Sequence, residues 1–166
     1  KGRTVVVIHL LGRLFMDPLD DPFAAVEGAL SKHRLGGNAD CIIVDMHAEA
    51  TSEKMAMGHV LDGRVSMVIG THSHIPTADA QILPGGSAYL TDVGMCGDYD
   101  SVIGMQKGEA TSRFTRKIRS GRLEPAEGEA TLCAVYVEVD DKTGLARHIA
   151  PLRLGGRLSS CWPLEK

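Results

Sequence analysis

The chain has 166 residues, of which 43% are hydrophobic and 23% charged, values ordinary for one soluble globular domain with a substantial core. A formal net charge of -3, an aromatic content of 4% and the lack of a long apolar run give no basis for a nucleic-acid platform or a membrane span. The four cysteines are far apart without a Cys-x-x-Cys pair, so we expect reduced thiols in a cytoplasmic protein, with Cys41 in the core.

The first predicted elements are a strand, a helix and a second strand. Residues 4–10 (TVVVIHL) are apolar and rich in β-branched side chains, which is typical of a buried strand. Asp21 followed by a proline predicts the start of a helix, and we expect His33 to lie in its last turn before two glycines. Residues 41–47 (CIIVDMH) then predict a second buried strand that ends in a histidine.

A second helix and a third strand follow. We expect Thr51 or Ser52 to cap this helix, which ends at an Asp-Gly pair, and residues 65–69 predict the third strand. Because the helix carries the chain back along the sheet, the second and third strands must be parallel and must end at the same edge.

The second half of the chain predicts two hairpins and one helix. Residues 81–83 and 88–90 flank a Pro-Gly-Gly turn, and the glycine-containing loop that follows is either a plain turn or a phosphate cradle. Residues 106–118 predict a basic amphipathic helix. Residues 131–139 and 145–154 predict a closing antiparallel hairpin, and residues 155–166 predict an irregular tail.

Three histidines are predicted to meet at one edge of the sheet. His47 ends the second strand, and His72 and His74 end the third. In extended backbone the side chains alternate between faces, so His72 and His74 should point the same way. Open α/β sheets place their ligands at the carboxyl edge, and converging imidazoles predict a metal site there. The alternative is a set of unrelated core and surface histidines.

Carboxylates near these histidines are candidates for supporting or bridging roles. Asp45 shares a face with His47 one pleat deeper, which favours support of a ligand over direct ligation. Asp92 is a candidate to ligate a metal, to orient a histidine or to cap its own loop, and Glu49 and Glu53 are further candidates. Spacing does not choose between one metal ion and two.

Four stretches resemble one known family. They are residues 45–54 (DMHAEATSEK), 70–79 (GTHSHIPTAD), 19–23 (LDDPF) and 91–95 (TDVGM). Together they resemble the YmdB-type branch of the calcineurin-like metallophosphoesterases, bacterial enzymes that hydrolyse cyclic nucleotides. The similarity runs from residue 1 to residue 154. It implies an α/β fold, a layered β-sandwich with flanking helices, of which this chain is an incomplete carboxyl-terminal portion.

The resemblance also implies a ligand set. His47, His72 and His74 match family residues that bind metal, in a dinuclear centre that usually contains iron or manganese. Asp45 and Thr71, with Asp92, are the residues we expect to support these ligands or to contact the substrate, a small phosphodiester. Family members often form larger assemblies, so we expect a homo-oligomer or a partner segment.

The part of the chain before His47 lacks three family motifs. The Gly-Asp, Gly-Glu-Asn and Gly-Asn-His motifs supply the remaining ligands and the catalytic histidine in the family. We therefore expect the segment to supply part of a phosphodiesterase site and to be inactive until an amino-terminal half is present. The alternatives are an inactive assembly or metal-binding segment, and a mononuclear amidohydrolase, for which only His148 follows as a further histidine.

Overall fold

The structure is a computed structural model that describes residues 2–119 and 121–163. Within these residues the chain forms three helices and eight strands. In chain order the elements are β1 (Val5–Leu11), α1 (Pro22–Leu30), β2 (Cys41–His47), α2 (Thr51–Leu61), β3 (Met67–Thr71), β4 (Gln81–Ile82), β5 (Ala88–Leu90), β6 (Gly97–Asp98), α3 (Lys107–Thr115), β7 (Ala130–Val139) and β8 (Ala146–Leu154). The α/β class predicted from the sequence is confirmed.

Two sheets organise these elements. The larger has the strand order β1-β2-β3-β5-β4, in which β1, β2, β3 and β5 are parallel and β4 is antiparallel to β5. The second sheet is antiparallel, with the order β6-β7-β8. The predicted βαβ unit and both predicted hairpins are therefore confirmed. The helices α1 and α2 explain the parallel pairs β1–β2 and β2–β3, because each helix returns the chain to the starting edge of the sheet.

The main core lies between one face of the larger sheet and these two helices. Alternate residues of β2 point into it, so that Ile42, Val44 and Met46 are fully buried. They belong to one cluster with Val26 of α1 and Met57 of α2. Full burial of one such side chain contributes about 1.5–3 kcal/mol, so this contact fixes the position of both helices on the sheet.

The opposite face of the larger sheet is open. On β1, Val5 and Val7 point to this face and are 54% and 66% exposed. β1 is also the edge strand, hydrogen-bonded to β2 only. Within the described residues the sheet therefore presents an apolar face beside an unpaired edge, which are surfaces on which a further polypeptide can pair.

The first helix ends earlier than predicted. α1 ends at Leu30, where the backbone N–H of Ser31 bonds to helix carbonyls. His33 lies beyond this cap, so its predicted place in the last turn is wrong. The amide side chain of Asn38 accepts from the backbone N–H of Arg34 at 2.7 Å and holds a separate turn after the helix.

The other two helices differ from prediction at one end each. The N-cap of α2 is Ala50 without a side-chain bond, so the predicted cap at Thr51 or Ser52 is wrong. The helix start is instead tied to the β1–α1 loop, because Glu53 accepts from the backbone N–H of Arg13 at 2.9 Å. α3 ends at Thr115 and not at residue 118, since residue 117 adopts a left-handed φ of 58°.

Removal of the Asp21 side chain tests the start of α1. Its carboxylate accepts from the backbone N–H of Phe23 at 2.9 Å, which satisfies one of the unpaired donors of the first turn. We expect Asp21→Ala to lower the free energy of unfolding by about 1 kcal/mol, measured by urea denaturation. Asp20→Ala, one residue before the cap, is the control and should change it by less than about 0.5 kcal/mol. Equal losses would contradict the cap.

The cysteines and the tail complete the fold. All four cysteines are free. Cys41 is only half-buried, so it lies at the margin of the core and not inside it as predicted. In the tail predicted to be irregular, Cys161 forms a bridge with Arg153 of β8 through two backbone hydrogen bonds of 2.9 and 3.0 Å. Residues 164–166 lie outside the described residues. Among the helices of the described ranges, none has the length and apolar character to span a membrane.

Candidate metal centre

The candidate site lies where three parallel strands end side by side. Leu11 of β1 is in register with His47 of β2, and His47 is in register with Thr71 of β3. The carboxyl edge of the larger sheet thus delivers His47 directly and places His72 immediately after the neighbouring strand. This is the edge at which the sequence predicted a metal site.

His47 and His72 are in direct contact. Nε2 of His47 lies 3.1 Å from Nδ1 of His72, and the ring centroids are 4.9 Å apart with an interplanar angle of 89°. Burial lowers the pKa of His47, and the neighbouring His72 lowers it further. A lowered pKa favours the neutral imidazole, which is the form that binds metal ions.

A chain of hydrogen bonds fixes the orientation of the His47 ring. The hydroxyl of Thr71 donates to Asp45 at 2.8 Å and lies 3.0 Å from Nδ1 of His47. Because the single hydroxyl proton goes to the carboxylate, Thr71 must accept from Nδ1–H of His47. Nε2 of His47 then carries the lone pair, on the side that faces Nδ1 of His72. Asp45 and Thr71 therefore occupy the supporting positions that orient metal-binding histidines in proteins.

His74 is held by a contact of its own. Its Nδ1 lies 2.8 Å from the backbone carbonyl oxygen of Ile103, to which it donates. This bond also leaves Nε2 as a lone pair. However, within residues 2–119 and 121–163 no group of three or more His, Cys, Asp or Glu side chains is disposed to hold a metal ion. The structure thus brings together His47 and His72, but not all three predicted ligands.

The residues that carry His72 and His74 are not extended. β3 ends at Thr71, and the two histidines have positive φ angles of 105° and 65°. The expectation that strand alternation aligns them is therefore wrong. Left-handed backbone at a residue other than glycine costs of order 1–3 kcal/mol and persists where surrounding contacts enforce it, which is common at functional sites.

Two further side chains join the cluster. His9 of β1 lies 2.8 Å from Asp45 through Nδ1, and its ring centroid is 6.1 Å from that of His47. Glu49 lies 2.7 Å from Nε2 of His72. The sequence analysis assigned His9 no role in the site, although its position near the end of the first predicted strand was a usable signal, because parallel strands end at the same edge of the sheet.

Asp92 is bonded to the backbone between His72 and His74. Its carboxylate accepts from the backbone N–H of Gly94 and from that of Ser73, each at 2.9 Å, and from Lys54 at 2.8 Å. The first bond is the loop cap that the sequence suggested. The second bond reaches the residue between His72 and His74, and it connects this carboxylate to the candidate site.

The residues present fit a metal ion as part of its coordination shell. Two nitrogens 3.1 Å apart can both lie about 2.0–2.1 Å from one ion, the usual metal–imidazole distance. A complete centre needs further ligands, and a pair of ions needs bridging oxygen donors.

Comparison with known proteins places the chain in a family. A profile of the YmdB-like protein family matches residues 1–152. The chain belongs to the YmdB-like family. The predicted family is therefore confirmed, and with it the metallophosphoesterase type of the fold.

Individual relatives agree with this assignment. The YmdB-like chain is 46% identical over 143 residues to a 2′,3′-cyclic-nucleotide 2′-phosphodiesterase of Bacillus subtilis, covering 86% of this chain and 53% of the relative. It superposes with a TM-score of 0.84 on a hypothetical protein from Thermus thermophilus, at 42% identity over 92% of this chain and 58% of that one. A novel phosphatase of Mycoplasma pneumoniae gives a TM-score of 0.80 at 38% identity, over 90% and 52%. The chain thus spans about half the length of the relatives it matches.

Proposed function

We propose that this chain supplies the histidine ligands His47, His72 and His74 to a dinuclear metal centre that hydrolyses 2′,3′-cyclic nucleotides. The observation that carries the proposal is the contact between Nε2 of His47 and Nδ1 of His72 at the carboxyl edge of the sheet. The substrate class is supported by the name of the Bacillus relative, which acts on 2′,3′-cyclic nucleotides.

The chain's own residues have distinct parts in this mechanism. His47 and His72 would hold metal through their nitrogens, and His74 would join them through its free Nε2. Asp45 acts through the Thr71 hydroxyl to keep the His47 ring in one tautomer and orientation. Bound metal ions supply an activated water and neutralise charge on the phosphoryl oxygens. Imidazole ligands suit iron, and we propose iron or manganese as the ions.

We infer that the rest of the centre comes from another polypeptide segment. Three neutral histidines provide neither a bridge between two ions nor negative charge to offset them. The matched part of this chain covers 53% of the Bacillus relative, and the apolar face around Val5 and Val7 beside the unpaired edge of β1 offers a surface for the additional part. An amino-terminal half would cover this surface, and a second copy would cover it in a homo-oligomer.

The free thiols favour the cytoplasm as the location of the protein.

A second candidate function is a segment without activity that serves assembly and whose histidines bind metal only adventitiously. It is supported by the fact that the described residues do not bring three ligands together. Gel filtration combined with metal analysis of the same sample distinguishes the two functions. Monomeric protein with stoichiometric, tightly bound metal would count against the assembly function.

Substitution of single histidines tests the ligand set. We expect His47→Ala and His72→Ala each to weaken Co²⁺ or Mn²⁺ binding by at least about tenfold, measured by isothermal titration calorimetry, because each removes a ligand nitrogen. His59→Ala is the matched control, since His59 is exposed on α2 and should leave the affinity unchanged. Undiminished metal binding in both His47→Ala and His72→Ala would exclude the proposed ligands.

A further inference from the structure

Behind the histidines lies an ion pair that is removed from solvent. Nζ of Lys54 on α2 donates to Asp92 at 2.8 Å, and each side chain is 2% exposed. Burial of two charges carries a desolvation cost that their attraction does not reliably offset, so such a pair is weak evidence of a role in stability. Its position relative to the candidate site suggests a different role.

The Asp92 carboxylate is directly bonded to the turn that carries the histidines. It accepts from the backbone N–H of Ser73 at 2.9 Å, and the two neighbours of Ser73 have positive φ angles of 105° and 65°. Its other oxygen accepts from the N–H of Gly94 at 2.9 Å. Burial raises the pKa of Asp92, but the hydrogen bonds from Lys54, Ser73 and Gly94 hold it below the usual value. The acceptor of the Ser73 amide is therefore a charged carboxylate, which makes the stronger type of hydrogen bond.

The residues around this ion pair are closely packed. The methylene stem of Lys54 passes next to Gly70, where an added Cβ would lie 2.7 Å from Cδ of Lys54 and 1.7 Å from the carbonyl oxygen of Thr91. The N–H of Val93 also bonds to the carbonyl of Gly70 at 3.0 Å. The end of β3, α2 and the loop after β5 are therefore locked together around the ion pair.

We propose that the Lys54–Asp92 ion pair is a positioning device that holds residues 71–74 in the strained turn that sets His72 against His47. Lys54 holds the Asp92 carboxylate in place and stabilises its negative charge, and Asp92 in turn accepts the hydrogen bond from the amide of Ser73. This inference rests on the proposed function only in assuming that the two rings bind a metal ion. The placement of the rings is independent of any metal.

The test therefore uses the metal-free 166-residue chain. In the double variant Lys54→Met with Asp92→Leu, both buried charges are replaced by apolar side chains of similar size, which avoids an unpaired charge. We expect hydrogen exchange of the Ser73 amide to become at least about tenfold faster, because its acceptor is lost. We also expect loss of the nuclear Overhauser effect between the His47 and His72 rings. A merely structural role would leave this ring contact intact in a folded variant.

Asp62→Leu is the matched control. Asp62 accepts from the backbone N–H groups of Gly85 and Ser87, the same type of bond at the opposite end of the sheet. This variant should leave Ser73 exchange and the ring contact unchanged, and equal effects in it would overturn the proposal. If the double variant does not unfold cooperatively, Lys54→Met with Asp92→Asn retains one acceptor oxygen and should show a smaller increase in exchange. If the folded double variant kept both the wild-type ring contact and the protection of the Ser73 amide, the proposal would be overturned. If the wild-type chain bound no metal, only the proposed function would be contradicted.

Discussion

By itself, the 166-residue chain is expected to hydrolyse no 2′,3′-cyclic AMP above background in the presence of Mn²⁺, and to gain activity when an amino-terminal half is added. Its described residues bring two imidazoles together but no group of three potential ligands, so the charge that develops in phosphoryl transfer has no complete metal centre to offset it. The part of the Bacillus subtilis relative that this chain does not match is a suitable complement, because the two proteins are 46% identical over the part that they share.

Release of nucleoside monophosphate, followed by chromatography, measures this effect. Restoring a general acid would by itself increase the rate by about 10²–10⁴-fold, and a completed metal centre should increase it further, so we expect at least a thousandfold gain. The complement mixed with the His72→Ala chain is the control and should remain inactive. Comparable activity of the isolated wild-type chain would show that the half-site is sufficient and that our view of the missing ligands is wrong.

Gly70→Ala is expected to have the largest effect on stability of any small substitution in the site. Gly70 lies in β3 beside the residues that support the histidines, and an added Cβ would lie 1.7 Å from the backbone carbonyl oxygen of Thr91. A clash with backbone cannot be relieved by a rotamer change, so the strand or the loop must move. We expect a loss of about 3 kcal/mol or more in the free energy of unfolding, measured by urea denaturation.

Gly28→Ala is the matched control for this substitution. Gly28 lies in the interior of α1, and an added Cβ meets nothing within 4 Å. Because alanine is a better helix former than glycine, we expect a gain of about 0.5–1 kcal/mol. If Gly70→Ala were as well tolerated as Gly28→Ala, the close approach between β3 and the loop after β5 would not exist in solution.

Local sequence patterns determined the elements and their order. The apolar runs of β1, β2 and β3, and the helices between them, follow from composition and period within each segment, and the parallel arrangement follows from the connections. The position of His47 at the carboxyl edge is a direct consequence, because the strand ends at this residue. The motifs that contain the histidines also identified the family, which the comparisons confirm. The ligand role of these histidines stays a prediction.

The tertiary structure decided how the side chains at this edge are arranged. The sequence pattern suggested that His72 and His74 continue a strand, but both lie in a left-handed turn that the Asp92 carboxylate anchors from 19 residues away in the chain. Lys54 and Asp92 are 38 residues apart, and His9 and Asp45 are 36 apart, so neither contact follows from local periodicity. Period and propensity act over a few neighbouring residues, whereas these bonds form only after strands and helices have packed and have brought distant polar groups together.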